Sequence, residues 1–194
     1  SKAAGMTVGD PNHPKTRLGA IVSKGQHERV LSYIEAGIAE GATLRTGGQA
    51  ATVDGRGYFV EATVFDDVKP DMKIAREEIF GPVAAVLPFD DVDQVAEQAN
   101  RTIFGLAAAV WTRDIAKAHN FAARVKAGTV WVNCYNAFDP AARLRLRAPT
   151  MAEVTPGWAT IHAIASCVSV TPCPSAIGVV LSCQCVWYRS MASR

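Results

Sequence analysis

Val83-Ala84-Ala85-Val86-Leu87-Pro88-Phe89 is the first of three short apolar runs. Leu106–Trp111 and Thr129–Asn133 follow it. Between the first two, Asp90 or Asp91 is placed to cap a helix in which Val92, Val95, Ala96 and Ala99 share a face. Between the second and third, Thr112 or Asp114 opens another, with Ile115, Ala118, Ala122 and Val125 inward and Gly128 closing it. Runs that are continuous rather than alternating suit strands covered on both faces. Connections of this length favour parallel strands with right-handed crossovers. The spacing therefore predicts an α/β, Rossmann-like β-α-β-α-β unit over 83–133, with helices near 91–100 and 114–126.

Upstream, Ser23-Lys24-Gly25-Gln26 reads as a capping box, with Gln three residues after the N-cap Ser. Val30, Ile34 and Ile38 then recur at helical spacing beside Leu31 and Tyr33, until Gly41 stops the run. Gly47-Gly48 and Asp54-Gly55-Arg56-Gly57 mark turns around two β-prone runs, Ala42–Arg45 and Tyr58–Phe65. Immediately before the first apolar run stands Arg76-Glu77-Glu78-Ile79-Phe80-Gly81-Pro82-Val83. A carboxylate accepts two hydrogen bonds at once and so suits the vicinal hydroxyls of a ribose, with Phe80 against a flat ring. The same residues also fit two solvated acids and a phenylalanine filling the core. Both readings stay open on residue chemistry alone.

The 194 residues are 49% hydrophobic with a net charge of only +2, a balance that argues against a dedicated nucleic-acid binder. Residues 1–20 are polar, rich in Gly and Pro, and contain no secretory h-region; the chain opens on Ser1, as a processed or partial start would. Composition breaks near residue 142. Residues 1–142 carry fifteen Lys/Arg and seventeen Asp/Glu; residues 143–194 carry five Arg, one acid (Glu153) and four of the five cysteines. Two domains are expected on that basis, 1–142 and a tail of 143–194. No G-x-G-x-x-G phosphate turn is present, and Gly47-Gly48 precedes no helix pattern.

Gly9-Asp10-Pro11, Leu18-Gly19, Gly57-Tyr58-Phe59-Val60-Glu61, Ala75–Val83, Gly105-Leu106-Ala107-Ala108 and Ala127-Gly128-Thr129-Val130-Trp131-Val132-Asn133-Cys134-Tyr135 stand in a characteristic order and spacing. Together they make the chain, from about residue 7 to 142, resemble the C-terminal part of the NAD(P)-dependent aldehyde dehydrogenase superfamily. It is most similar to the broad-specificity, betaine-aldehyde and γ-aminobutyraldehyde types. The resemblance implies the catalytic-domain portion of that fold, and an enzyme that oxidises a small aldehyde to a carboxylic acid with NAD or NADP. It further implies that Glu78 binds the nicotinamide ribose, that Phe80 packs against the cofactor and that Gln26 approaches it. Asn136 and Phe138 would line the aldehyde passage, although Phe138 serves equally as core filling.

In the family the reaction proceeds by thiolate attack to a thiohemiacetal, hydride transfer, and release of the acid by base-activated water. The resemblance places the nucleophilic Cys, the general-base Glu and the dinucleotide-binding domain upstream of Ser1. No catalytic residue is therefore assigned here, and the chain alone is expected to be inactive and to hold the cofactor weakly. Alternatives are a noncatalytic α/β binding module and a truncated or frameshifted product without selected function.

Cys134 has no Lys, Arg or His near it in sequence and reads as a small, inert side chain. His27 and His119 lack a neighbouring carboxylate orienter and read as surface histidines. After Phe138–Ala142, Arg143-Leu144-Arg145-Leu146-Arg147 departs from the family pattern, and nothing later recovers it. The tail's Cys167, Cys173, Cys183 and Cys185 with His162 lack metal-knuckle spacing, so no metal is expected. The stretch 154–188 is long enough to span a bilayer but is interrupted by Pro172-Cys173-Pro174, so no membrane partner is expected either. The tail is taken as irregular and poorly ordered. A cytoplasmic location and no nucleic-acid partner complete the reading. Family members form homo-oligomers through a final strand that has no counterpart in this sequence.

Overall fold

The computed structural model describes residues 2–135, 178–181 and 186–190. The described residues divide into two compact units, one of residues 2–86 and one of residues 87–135 with 178–181 and 186–190.

In the first unit Ser23 is extended (φ −156°) and its side chain accepts from the Gln26 N–H, starting α1 (Lys24–Ala39). Val30, Tyr33, Ile34 and Gly37 form the buried face. Ile38, expected on that face, is 51% exposed. Eight residues at about 100° each carry it about 80° past Val30, so Gly37 takes its place. That small residue lets α1 approach closely: a Cβ on Gly37 would meet Ile74 Cδ1 at 2.9 Å and Phe65 Cζ at 3.2 Å.

After α1 come β1 (Thr43–Thr46), β2 (Ala50–Val53), β3 (Arg56–Val60) and β4 (Thr63–Asp66). Asp54 and Gly55 both have positive φ, as a two-residue turn between β2 and β3 requires. The run predicted over 58–65 divides at Glu61-Ala62 between two sheets. Thr63 holds the break: its hydroxyl donates to the Glu61 carbonyl at 2.9 Å and accepts from the Gly48 N–H at 2.9 Å. β4 pairs antiparallel with β1 and parallel with β5 (Val83–Phe89), Thr63 opposite Val83. One short turn of helix, α2 (Lys73–Arg76), precedes β5, which runs across the boundary between the units.

The second unit contains α3 (Val92–Ala99), β6 (Ala107–Trp111), α4 (Ile115–Arg124) and β7 (Thr129–Val132). Asp91 caps α3 and Asp114 caps α4, each by accepting backbone N–H bonds. β6 and β7 are parallel, Ala107 opposite Thr129 through Val110 opposite Val132, as the helical crossover predicts. On α4 the buried residues are Ala118 and Phe121, with Val125 buried just past its end; Ala122, expected inward, is only partly buried and Ile115, also expected inward, is 65% exposed. Phe121 draws the face round, leaving Ile115 at its edge. Asn100 joins the helix ends by donating to the Arg124 carbonyl at 2.9 Å and accepting from Lys126 N–H at 2.7 Å.

Two differences from the expected unit follow. β6 has β7 on one side and antiparallel β8 (Gly178–Leu181) on the other, so β5 is not its neighbour. β8 in turn pairs with β9 (Val186–Ser190). The tail expected to be irregular therefore contains a hairpin, built from Val179-Val180-Leu181 and Val186-Trp187-Tyr188, residue types that favour strands. The rest of 143–194 lies outside the described residues. Among the described residues no helix is long and apolar enough to cross a membrane, and no His/Cys/Asp/Glu group could hold a metal.

Candidate functional site

Residues 77–82 connect α2 to β5, and their path is set by one face of α1. Gln26, Val30 and Tyr33 are spaced four and three apart and so stand in line. Gln26 Nε2 donates to the Ile79 carbonyl at 3.0 Å and to the Phe80 carbonyl at 3.2 Å. Two acceptor-only oxygens fix which end of the amide faces them. The first half of the predicted capping box thus exists, but Gln26 spends its side chain on a loop more than fifty residues away.

One turn further along, Val30 packs on Gly81, where a Cβ would come within 2.5 Å of Val30 Cγ2. Another turn on, Tyr33 Oη donates to Glu77 Oε2 at 2.8 Å. Arg29 Nη2 donates to Tyr33 Oη at 3.2 Å, and Lys73 Nζ lies 4.9 Å from the centre of its ring. Burial first, and then the bond to Glu77, push the Tyr33 hydroxyl above its ordinary pKa.

Between these anchors Phe80 has φ +52°, the left-handed region. For a bulky side chain this costs about 1–3 kcal/mol and persists only where surroundings impose it. Glu78, half-buried, makes no hydrogen bond among the described residues. Burial raises its pKa to about 7, with the Arg29 charge opposing the shift. The two adjacent acids consequently differ in kind. Glu77 is exposed and tied to Tyr33, whereas no donor among the described residues meets Glu78. An uncommitted, partly desolvated carboxylate is suited to accept a pair of ligand hydroxyls.

The structure thus brings Gln26, Glu78 and Phe80, the three residues expected on the cofactor side, to one loop. Asn136 and Phe138 lie outside the described residues. His27, read as a surface side chain, is instead half-buried, its Nε2 3.0 Å from the Phe59 carbonyl. His119 and Cys134 are exposed. Arg29, Val30 and Tyr33 escaped the sequence reading as site residues, although their helical register with Gln26 was visible.

In the second unit the strand leading to Asn136 ends on a related device. Asn133 has φ +54°, and its side chain pairs with the Thr112 backbone, accepting from N–H at 2.9 Å and donating to C=O at 2.9 Å. Beyond it, the Tyr135 ring stacks on Trp111 at 6.3 Å and tilts against Trp131 at 5.0 Å.

The profile of the aldehyde dehydrogenase family matches residues 1–144. A betaine aldehyde dehydrogenase of Brucella anthropi is 54% identical over 133 residues, covering 68% of this chain and 27% of that protein. The NAD+ complex of an aldehyde dehydrogenase from Bacillus cereus is similar at a TM-score of 0.69 and 49% identity, covering 75% of this chain and 30% of the other. For the γ-glutamyl-γ-aminobutyraldehyde dehydrogenase of Burkholderia cenocepacia the TM-score is 0.65 and the identity 54%, covering 69% and 27%. The chain spans less than a third of the length of these proteins.

Proposed function

The chain belongs to the aldehyde dehydrogenase family, and on that premise we propose that residues 1–142 are the catalytic-domain portion of an enzyme oxidising an aldehyde to a carboxylic acid with NAD or NADP. The observation that carries this reading to particular residues is Glu78: a half-buried carboxylate with no hydrogen bond among the described residues, beside an aromatic held out of its ordinary backbone conformation. Glu78 would accept the hydroxyls of the nicotinamide ribose, and Phe80 would pack against the cofactor. Gln26 stands behind that loop. Bound NAD(P)+ supplies the hydride acceptor; water supplies the oxygen of the acid, and a proton is released. Asn136 and Phe138 would line the passage for a small aldehyde of the betaine-aldehyde or aminobutyraldehyde kind, as named for the relatives above.

The family resemblance implies that the thiolate nucleophile and the general base lie upstream of these residues. Positioning alone does not replace a covalent step. The 194-residue chain mixed with NAD+ and betaine aldehyde should form no NADH, followed by absorbance; turnover by pure protein would show that it holds its own nucleophile. Nucleotide contact is tested separately by NMR. Millimolar NAD+ should shift the Glu78 carboxyl and Phe80 ring signals in the parent chain, and Glu78→Gln should weaken that response. Absence of any shift at these two residues removes them from the site.

A further inference from the structure

We infer that Gln26 is a positioning residue: its amide holds Phe80 in the left-handed backbone conformation and thereby fixes the direction in which Glu78 is presented. The inference rests on the functional reading above only for what the presented carboxylate is used for.

The geometry carries it in three steps. Both Nε2 hydrogens of Gln26 have acceptors, the carbonyls of Ile79 and Phe80 at 3.0 and 3.2 Å. These carbonyls flank Phe80, the residue at φ +52°. A clamp on both is therefore a clamp on its φ and ψ. The flanks are held by other means, Glu77 by Tyr33 and Gly81 by Val30, so α1 controls both ends and the middle of one loop. Glu78 lies between the Tyr33 anchor and the Gln26 clamp. Rotation at Phe80 would swing it relative to β5, which Val83 enters after a Val83 N–H bond to the Gly81 carbonyl at 2.8 Å.

Two other roles for Gln26 fit the coordinates less well. A reciprocal capping box needs the Ser23 N–H to donate to Gln26 Oε1 as well as the Gln26 N–H to Ser23 Oγ, and among the described residues only the second bond is made, while the side-chain amide donates to the Ile79 and Phe80 carbonyls. A direct ligand role would leave only Oε1 to meet the ligand, since both donors are engaged.

The test uses the full chain without nucleotide, comparing the parent with Gln26→Met, which keeps length but loses the donors. Ser23→Ala serves as control because it weakens the same helix through its cap. Two NMR readouts report on the loop: the amide coupling and Cα shift of Phe80, which register a positive φ, and the pH midpoint of the Glu78 carboxyl. Charged neighbours of that carboxyl and of its anchor are Arg29 on α1, Lys73 on α2 and Glu77 within the loop, and none is altered.

The expected result in Gln26→Met is loss of the positive-φ signature and a fall of the midpoint from about 7 towards the ordinary carboxylate range, with both unchanged in Ser23→Ala. Retention of both signals in Gln26→Met, or equal loss in the two variants, overturns the inference. If Gln26→Met does not fold, the variant carrying Phe80→Gly as well should, since glycine takes this conformation without a clamp; failure of that rescue also counts against it. Because no nucleotide is present, failure here leaves the cofactor reading standing, and a negative NAD+ titration leaves this inference standing.

Discussion

Phe80 and Asn133 occupy the same region of backbone space, φ +52° and +54°, each at one end of a parallel strand and each in a different unit. Their supports differ. Asn133 supplies its own, a side chain that pairs with both backbone groups of Thr112, the residue just past the end of the neighbouring strand. Phe80 has no polar side chain and depends on Gln26, fifty-four residues earlier. Asparagine visits the left-handed region readily, whereas a large aromatic does so only under external constraint. One device is therefore encoded where it acts, and the other needs the fold to be complete first.

The strongest way to break the comparison is at the self-supported end. Asn133→Ala removes both bonds to Thr112 and keeps a Cβ in the left-handed region, so unfolding stability should fall by about 3 kcal/mol. Asn133→Gly restores the conformation but not the bonds and should lose only about 1–2 kcal/mol. Urea unfolding followed by tryptophan fluorescence measures both; equal losses would mean that conformation contributes nothing at Asn133.

At the remotely supported end the corresponding probe is Gly81. A Cβ there enters Val30, a buried and stiff side chain, at 2.5 and 2.8 Å. Gly81→Ala should cost about 2 kcal/mol by overpacking, and much of that should disappear when Val30→Ala is added, a coupling that circular dichroism in urea can resolve. Simple additivity of the two losses would show that α1 does not press on this loop.

The same contrast explains what could be read from the sequence. Both capped helices of the second unit and the first half of the Ser23–Gln26 cap rest on residues a few positions apart, and the parallel β6–β7 pair follows from the single helix that joins its strands; all were legible. Glu78 and Phe80 were singled out through family motifs and residue chemistry, and the structure sets both on the loop between α2 and β5. Gln26 drew attention for its position, yet its bonds to Ile79 and Phe80 join residues more than fifty apart and no local pattern announces them. The outward turn of Ile38 and Ile115 was missed for a related reason. A helix face is chosen by what packs on it, and Gly37 and Phe121 shifted both faces by a fraction of a turn.

The smallest expected effect separates the two acids of the loop and depends on pH. Glu78 has its pKa raised from 4.5 to about 7 by burial, so the folded chain holds that proton more tightly than the unfolded one. Its contribution to stability is complete below about pH 4.5 and is lost as the pH climbs through about 7. Glu78→Gln cannot ionise and keeps the shape. At pH 8 it should therefore be more stable than the parent by on the order of 1 kcal/mol or less, after allowing for solvent screening of a partly exposed group. At pH 4 the two should unfold at the same urea concentration. Glu77→Gln should gain nothing at pH 8, since Glu77 is exposed and its bond from Tyr33 is one that a charged acceptor strengthens. If Glu78→Gln is instead less stable than the parent at pH 8, the Arg29 charge outweighs burial, and Glu78 is held ionised by the protein before any ligand arrives.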